Sequence, residues 1–427
     1  MPVTENPNNS NTISSSSSDR ISNSDSHPFP VFPPDFHFST LDEACELTLL
    51  SDITPSPTDR GPLTFTHGST PETYFSAFLP RDWCIGFVPH GGYIASLLTE
   101  AAMKFTSSAR CLASVGTDGN DGLPKKLLER VASQVHPVRV QLDFLRKARS
   151  GESAVVRVRA KKLGGPYTVV GVSLYQTSKP AIGYLGDTAG SGSDRAEYND
   201  ELRKRIHHEC CTGFITLTNI LTEESYLSRP TIPLPLPVVA ESKKPIPPRA
   251  SCVQYNLPPY QRRWCVSTDK FTFLYPKPPP LPGRILQWIR WADYPIRRQG
   301  FTLRDLGFIC DMYSACGDNL LIATGAANEG TVRWYPTLGY EFEVKTLPPL
   351  LSASEEAGWK GGGAGRREWE WLFVWAEMGE PGIKGGRMYE GVSVYDEEGE
   401  LVARGGQMRL VLKVEANVRT TKRESKL

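Results

Sequence analysis

Two parts of this sequence carry residues that could serve a hydrolytic reaction. One is the segment Pro89-His90-Gly91-Gly92, and the other is the C-terminal half, which contains Asp311. A Ser-His-Asp hydrolase needs a GxSxG nucleophile elbow and a histidine late in the chain. No GxSxG occurs and the last histidine is His208, so the sequence does not indicate a serine hydrolase.

Gly91 and Gly92 directly precede a helical pattern, which suggests two interpretations. Glycines at a helix start leave the first backbone N–H groups accessible, and such donors suit an oxyanion hole. A tight turn into the helix would require the same two residues. Both interpretations stay open at this point.

Asp311 falls in a predicted helix from Leu303 to Tyr313. It is about 100° around that helix from Cys310, at the border of the buried stripe. On spacing alone, a carboxylate there is usually a solvated flank. The role of Asp311 therefore depends on which side chains the fold places next to it.

Metal and phosphate chemistry are not indicated. The nine cysteines are odd in number and form no CxxC pair with a partner pair, so we predict neither a zinc site nor a disulfide framework. The run of glycines from 361 to 365 lacks the GxxxxGK[ST] pattern of a phosphate loop.

The elements that position these residues are clearest in the first half. A strand is predicted over Thr73 to Phe78, and further strands over 138–144, 154–158 and 167–175. Between them lies one helix, whose apolar positions recur every three or four residues: Ile94, Leu97, Leu98, Ala101, Ala102 and Phe105. One helix wrapped by an antiparallel sheet is the α+β arrangement called the hot-dog fold.

The second half repeats this pattern. Strands are predicted over Arg284 to Trp291 and Trp334 to Val344, and the segment 171–176 (GVSLYQ) reappears at 391–396 (GVSVYD) after a Gly-Gly pair. Internal similarity of this kind predicts two related domains in tandem, a double hot-dog.

Composition sets the limits of the domains and of the function. We predict a disordered tail over 1–35, domains over 36–190 and 251–415, a Pro-rich linker over 191–250 and a C-terminal tail over 416–427. Hydrophobic residues make up 39% of the 427 residues and the net charge is +1. No basic face indicates nucleic acid, and no apolar stretch predicts a membrane span.

The sequence resembles the acyl-CoA thioesterase II (TesB-like) family of double hot-dog enzymes over residues of about 70–180 and 250–413. The resemblance is carried by short motifs in both halves: Gly91-Gly92-Tyr93, His136-Pro137, Phe144-Leu145-Arg146, the segment 306–311 ending in Asp311, Pro336-Thr337, and the segment 401–407 ending in Gln407.

This resemblance implies hydrolysis of acyl-CoA without cofactor or metal. By position, the residues that hold and activate the attacking water are Asp311, Thr337 and Gln407, while Gly91, Gly92 and Arg146 contact the substrate. The segment 352–367 is an insertion that forms either a surface loop or a lid. Because it could reshape the acyl pocket, the resemblance does not fix the acyl chain of the substrate. The pathway is not fixed either, and a specialised secondary-metabolite pathway is one alternative. The sequence is also compatible with a homo-oligomer.

Two other functions were considered. A hot-dog hydratase or dehydratase would have a histidine five residues after its aspartate. Phe87 and Cys316 occupy those positions after Asp82 and Asp311, so that histidine is absent. The second is an acyl-CoA-binding protein without turnover, against which Asp311 and Gln407 argue.

The chain ends in Ser425-Lys426-Leu427. A C-terminal S-K-L is the peroxisomal address, which an import receptor reads as a free end. The sequence therefore predicts a peroxisomal location, and the import receptor is the one protein partner it predicts.

Overall fold

The structure is a computed structural model. It describes residues 32, 36–49, 72–107, 125–176, 208–222, 246–254, 264–277, 282–293, 300–312, 315–328, 331, 333–349 and 368–418. The helices are α1 Leu41–Ala44, α2 Gly91–Ser107, α3 Lys125–Ser133, α4 Leu306–Ile309, α5 Ala315–Ala323 and α6 Glu415–Val418. The strands are β1 Thr48–Leu49, β2 Glu72–Leu79, β3 Cys84–Ile85, β4 Val88–Pro89, β5 His136–Phe144, β6 Glu152–Lys162, β7 Thr168–Gln176, β8 His208–Thr218, β9 Cys252–Gln254, β10 Phe271–Pro276, β11 Arg284–Trp291, β12 Arg333–Trp334, β13 Thr337–Val344, β14 Leu372–Met378, β15 Arg387–Tyr395, β16 Leu401–Leu410 and β17 Leu412–Lys413.

Most of these strands form one antiparallel sheet. Its thirteen strands have the order β1-β2-β6-β7-β8-β5-β13-β16-β15-β14-β11-β10-β9. The two halves of the chain meet where β5 pairs with β13, with Val140 opposite Phe342. The two sheets therefore pair edge to edge, which covers one edge strand of each half.

Helix α2 is the central helix of the first half. Its predicted apolar stripe is fully buried, from Ile94 to Phe105, and the helix packs against β5, β6 and β7. The α+β double hot-dog prediction is confirmed by this arrangement.

The prediction of a continuous helix from Leu303 to Tyr313 is wrong. Helix α4 covers only four residues, and α5 begins at Ala315. One cause lies at Asp311, whose backbone carbonyl accepts a hydrogen bond from the Arg409 guanidinium of β16. The chain thus leaves the helix at Asp311, and this carboxylate lies just after a helix end instead of along a helix flank.

Helices α4 and α2 cross closely, with Gly307 at the contact. A Cβ atom on Gly307 would lie 2.7 Å from the backbone nitrogen of Ser96. The Ser96 hydroxyl donates to the carbonyl of Arg304 at 2.9 Å. This contact joins the two halves beneath the sheet and brings the end of α4 next to the start of α2.

Two strand predictions need correction. The segment 191–250 was interpreted as a linker, yet His208–Thr218 within it is strand β8, which pairs with both β5 and β7. The predicted strand Trp334 to Val344 is interrupted at Pro336, so that β12 and β13 are separate. The reasons differ: β8 follows a charged segment and is formed by pairing with strands distant in sequence, whereas proline lacks the N–H that a ladder needs.

Three predicted segments lie outside the described residues: most of the N-terminal tail, the insertion at 352–367 and Ser425–Leu427. Among the helices that are described, none is long and apolar enough to cross a membrane.

Candidate active site

Asp311 is the centre of the candidate site. Its side chain is 2% exposed, and both of its oxygens have partners. Oδ1 accepts the Thr337 hydroxyl at 3.2 Å and Nη2 of Arg409 at 2.9 Å. Oδ2 lies 3.2 Å from Nδ1 of His90, which belongs to the other half of the chain. The site is therefore built across the junction of the two halves.

Charge determines the protonation of Asp311. Burial raises the pKa of its carboxyl, but the Arg409 guanidinium, His90 and the Thr337 hydroxyl lower it by more, so the pKa lies below its ordinary value. Asp311 is thus a carboxylate at neutral pH. A carboxylate so well stabilised is a weak base.

Gly91 and Gly92 lie against this carboxylate. A Cβ on Gly91 would lie 2.7 Å from Oδ2 of Asp311, and one on Gly92 would lie 2.7 Å from the Asp311 Cβ. Neither glycine has a positive φ angle. Close approach, and not the turn conformation, requires glycine at both positions.

The backbone N–H groups of Gly91 and Gly92 differ in whether they already have a hydrogen-bond acceptor. The N–H of Gly92 donates to Nδ1 of His90 at 3.0 Å, so that donor is occupied. Gly91 borders the cavity. Its N–H lies in the first turn of α2, so this N–H has no hydrogen-bond partner within the helix. Of the two predicted glycines, Gly91 is the one suited to an oxyanion.

A cavity of about 300 Å³ opens beside these groups. Asp311, His90 and Thr337 form one wall, and the remainder is largely apolar: Ile85, Val88, Ile94, Phe144, Leu174 and Leu410. A mostly apolar cavity with a few converging polar groups is typical of a small-molecule site.

Buried thiols form part of the cavity wall on the side of the first half. Cys210 and Cys211 line the cavity there, and burial raises the pKa of the Cys210 thiol to about 11. Both thiols are therefore neutral, and neither is suited to act as a nucleophile.

Besides Arg409, two cations border the cavity. Arg146, predicted to contact substrate, is exposed, and its Nη1 lies 2.8 Å from Nδ1 of His208. Lys147 lies over the Trp334 ring at 4.2 Å and donates to the carbonyl of Ala416. Positive charge at this point suits an anionic group such as a phosphate.

Gln407 is not at the cavity. It is buried, and its amide nitrogen donates to Oε2 of Glu390 at 3.2 Å. The same carboxylate oxygen lies 3.5 Å from Nε of Arg409, which in turn binds Asp311. Gln407 therefore reaches Asp311 only through Glu390 and Arg409.

Glu390 is the second acid of this network. Burial raises its pKa to about 7, and the charge of Asp311 adds to the rise, while Arg409 opposes it. Oε1 of Glu390, Oε1 of Gln407 and Nε of Arg409 are buried without a hydrogen-bond partner in the described part of the chain. Such polar atoms together mark a place where a small polar group could bind.

Three residues of this site were not predicted: His90, Glu390 and Arg409. Arg409 could have been found, because it lies two residues after Gln407 and so on the same face of a strand. The contact between His90 and Asp311 spans the two halves, and no local pattern indicates it. Within the described ranges no group of three or more His, Cys, Asp or Glu side chains could hold a metal ion.

Comparison with protein families assigns the chain. Residues 79–187 match the model of the acyl-CoA thioesterase N-terminal domain, and residues 249–411 match that of the C-terminal domain. The chain belongs to the acyl-CoA thioesterase family. Its two matched regions span more than half of the chain and contain the predicted site residues of both halves.

Individual relatives are distant. A curated protein of Mycosarcoma maydis, the ustilagic acid biosynthesis cluster protein orf2, is 25% identical over 166 residues, which cover 38% of this chain and 36% of that protein. The match thus spans well under half the length of this relative.

Two solved structures share the fold. A candidate thioesterase II of Thermobifida fusca has a TM-score of 0.50 at 15% identity, covering 87% of this chain and 97% of its own. A hot-dog protein of unknown function from Alicyclobacillus acidocaldarius has a TM-score of 0.50 at 13% identity, covering 88% and 98%. At this identity the likeness concerns the fold alone.

Proposed function

We propose that this protein hydrolyses acyl-CoA to a free acid and CoA. One observation carries the proposal: the buried Asp311 carboxylate, held by groups from both halves of the chain, forms the wall of an apolar cavity. Membership of the acyl-CoA thioesterase family supports the same reaction.

The proposed reaction uses water as the nucleophile. The Thr337 hydroxyl and the groups around Asp311 hold the water beside the thioester carbonyl, and no metal or covalent intermediate is needed. Gln407 contributes through Glu390 and Arg409, which fix the orientation of the Asp311 carboxylate. The N–H of Gly91 is the candidate donor to the oxyanion that forms.

The substrate is oriented by the two kinds of cavity wall. The acyl chain would lie along apolar side chains such as Ile94 and Leu174, while Arg146 and Lys147 would meet the CoA phosphates. About 300 Å³ is at the small end of ligand cavities, which favours acyl groups of limited size over long straight chains.

A thiol-release assay tests the proposal. Purified protein is mixed with a panel of acyl-CoAs that differ in chain length and branching, and free CoA is followed with a thiol reagent. We expect release from at least one member and its loss on Asp311→Asn. Binding of acyl-CoA without any release would instead indicate the acyl-CoA-binding protein that lacks turnover.

A second candidate reaction is hydration or dehydration of an acyl thioester. The pair His90 and Asp311 favours it, because the histidine that is absent five residues after Asp311 is supplied by the other half. Such a pair can exchange protons with a 3-hydroxyacyl thioester. A change in the absorbance of the conjugated enoyl thioester, with no free thiol, would select this reaction.

We also propose a peroxisomal location, supported by the terminal Ser425-Lys426-Leu427. The name of the Mycosarcoma maydis relative favours a specialised biosynthetic pathway as the setting. An N-terminal fluorescent fusion should be punctate and colocalise with a peroxisomal marker, and deletion of these three residues should disperse it. A fusion that is diffuse with the three residues intact contradicts the location and leaves the hydrolase proposal unaffected.

A further inference from the structure

Both oxygens of Asp311 are already bound by donors. Arg409 and Thr337 occupy Oδ1, and His90 faces Oδ2. These contacts lower the pKa of the carboxyl, whereas an efficient general base has a pKa near the working pH. Asp311 is therefore better suited to hold a neighbouring base than to take the proton itself.

His90 is that neighbour. Its side chain is 3% exposed and borders the cavity, and Nδ1 faces Asp311. Among the described residues, the hydrogen-bond and ion-pair contacts of His90 involve Nδ1, and none involves the other ring nitrogen, Nε2. Nε2 is therefore the ring nitrogen that can accept a proton from a molecule in the cavity.

Packing fixes the plane of the imidazole. The His90 ring lies 4.7 Å from the Phe308 ring, and Phe308 is held in turn by Trp83 at 5.0 Å and Phe271 at 5.5 Å. A ring with this little freedom keeps Nδ1 directed at Asp311, so Nε2 has a defined direction as well. Defined direction is what a proton acceptor in a cavity requires.

We propose that His90 is the catalytic base of this site, with Asp311 as the residue that positions it. This role rests on the proposed hydrolysis of acyl-CoA. Nε2 takes a proton from water as the water oxygen forms a bond to the thioester carbonyl carbon. When the tetrahedral intermediate collapses, the C–S bond breaks, and the proton on Nε2 passes to the CoA sulfur. The products are the acid and free CoA, and His90 returns neutral.

Asp311 supports this role through Nδ1. A proton on Nδ1 can be donated to Oδ2, which selects the tautomer with an unprotonated Nε2 and stabilises the imidazolium that forms. In the opposite tautomer Nδ1 carries no proton and accepts the N–H of Gly92 at 3.0 Å, which caps helix α2 and leaves the proton on Nε2. Nδ1 makes only one of these two hydrogen bonds at a time, so the role as base requires the tautomer in which Nδ1 donates to Oδ2. The experiment must separate these two uses.

The variant His90→Asn does so. Asparagine is a good helix cap and offers a side-chain oxygen to the Gly92 N–H, but it cannot take a proton. The matched control is His136→Asn, because Nδ1 of His136 also accepts a backbone N–H, that of Ile220 at 3.2 Å, and His136 does not border the cavity. Thermal unfolding of each variant reports its structural role.

The pH profile separates catalysis from packing. The charged groups near His90 are Asp311, Arg409 behind it, and Arg146 and Lys147 across the cavity. We expect wild-type turnover to fall on the acid side, because a protonated imidazole cannot act as the base. His90→Asn should lose turnover by on the order of 10²–10⁴ and lose this acid limb, and His136→Asn should keep both.

Chemical rescue gives an independent readout. In His90→Ala the space of the ring is free, and added imidazole should restore part of the turnover, since a small base can enter the cavity. Rescue that follows the fraction of neutral imidazole as the pH is changed indicates proton transfer, because filling the cavity alone does not require an unprotonated nitrogen.

The outcomes distinguish the two proposals. If the wild type releases thiol and His90→Asn retains turnover within tenfold with its acid limb intact, the role of His90 is wrong and the hydrolase proposal stands. If His90→Asn is inactive but His90→Ala gains nothing from imidazole and shows a lowered Tm, the role of His90 is structural. If the wild type releases thiol from no acyl-CoA of the panel, both proposals fail.

Discussion

Glu390 offers a quantitative test of the buried charge network. Its carboxyl is completely buried between Arg409 and Gln407, and its pKa is raised from 4.5 to about 7. A glutamine at this position keeps the shape and one acceptor oxygen but cannot ionise. The variant Glu390→Gln therefore removes the pH dependence that Glu390 contributes to stability, with little change in packing.

The sign follows from the direction of the pKa change. A carboxyl whose folded pKa is raised contributes stability that is complete below its unfolded pKa and is lost as pH rises to the folded pKa. For Glu390 that window runs from pH 4.5 to about 7. The full change corresponds to about 3 kcal/mol, and from about pH 5 to about pH 8 it is roughly 2–3 kcal/mol.

Urea unfolding of the wild type and Glu390→Gln at several pH values measures this difference. We expect the free energy of unfolding of the variant, relative to the wild type, to rise by that amount between the acid and alkaline ends. Glu343→Gln is the control, because Glu343 is half exposed and its pKa is lowered, chiefly by a hydrogen bond from Lys345. A relative stability of Glu390→Gln that stays constant or falls with pH would refute the reasoning, since Glu390 would then be an ionised partner of Arg409 throughout.

The remaining predictions concern the same network and the helix contact. Asp311→Asn should retain the circular dichroism of the wild type and lose turnover by on the order of 10²–10⁴, so full activity would remove Asp311 from the mechanism. Arg409→Met should lower the free energy of unfolding by about 3–5 kcal/mol, measured at neutral pH, because it leaves two buried carboxylates without their cation. Gly92→Ala should cost roughly 1–3 kcal/mol, since its Cβ would lie 2.7 Å from Asp311 and 2.9 Å from backbone of α4. Gly339→Ala is its control, with a nearest contact of 3.7 Å, and equal losses in the two variants would contradict the steric argument.

The parts of the fold that the sequence predicts are those with a strong local pattern. The stripe from Ile94 to Phe105 identifies α2, and alternation identifies β5 and β11. The internal repeat then implies the tandem arrangement of two related domains. Each of these signals depends on neighbours within a few residues, or on similarity between two stretches of chain.

The parts that the sequence does not predict depend on contacts between distant residues. Helix α4 ends at Ile309, and two residues later the carbonyl of Asp311 accepts a hydrogen bond from Arg409, 98 positions along the chain. Strand β8 is preceded by a charged segment, and its apolar positions become informative only when β5 and β7 lie on either side. Tertiary contacts override local propensity in both places.

The candidate site was predicted in part for the same reason. Asp311, Thr337, Gly91 and Arg146 border one cavity, whereas Gln407 binds Glu390 behind it. Resemblance to a family identifies residues by their order along the chain. It does not identify other residues that the fold brings into contact with them. The contact of His90 with Asp311 arises from the crossing of α2 and α4, which no segment of sequence contains.

The pairing of β5 with β13 has a consequence for the newly made chain. His90 is contributed by the first half, and Asp311, Thr337 and Arg409 by the second, so the cluster forms only after the two sheets have joined. A nascent or partly folded polypeptide holds an aspartate without its histidine and a helix start without its carboxylate. Such a chain would be inert toward acyl thioesters, and competence for chemistry would require both halves to be folded and joined.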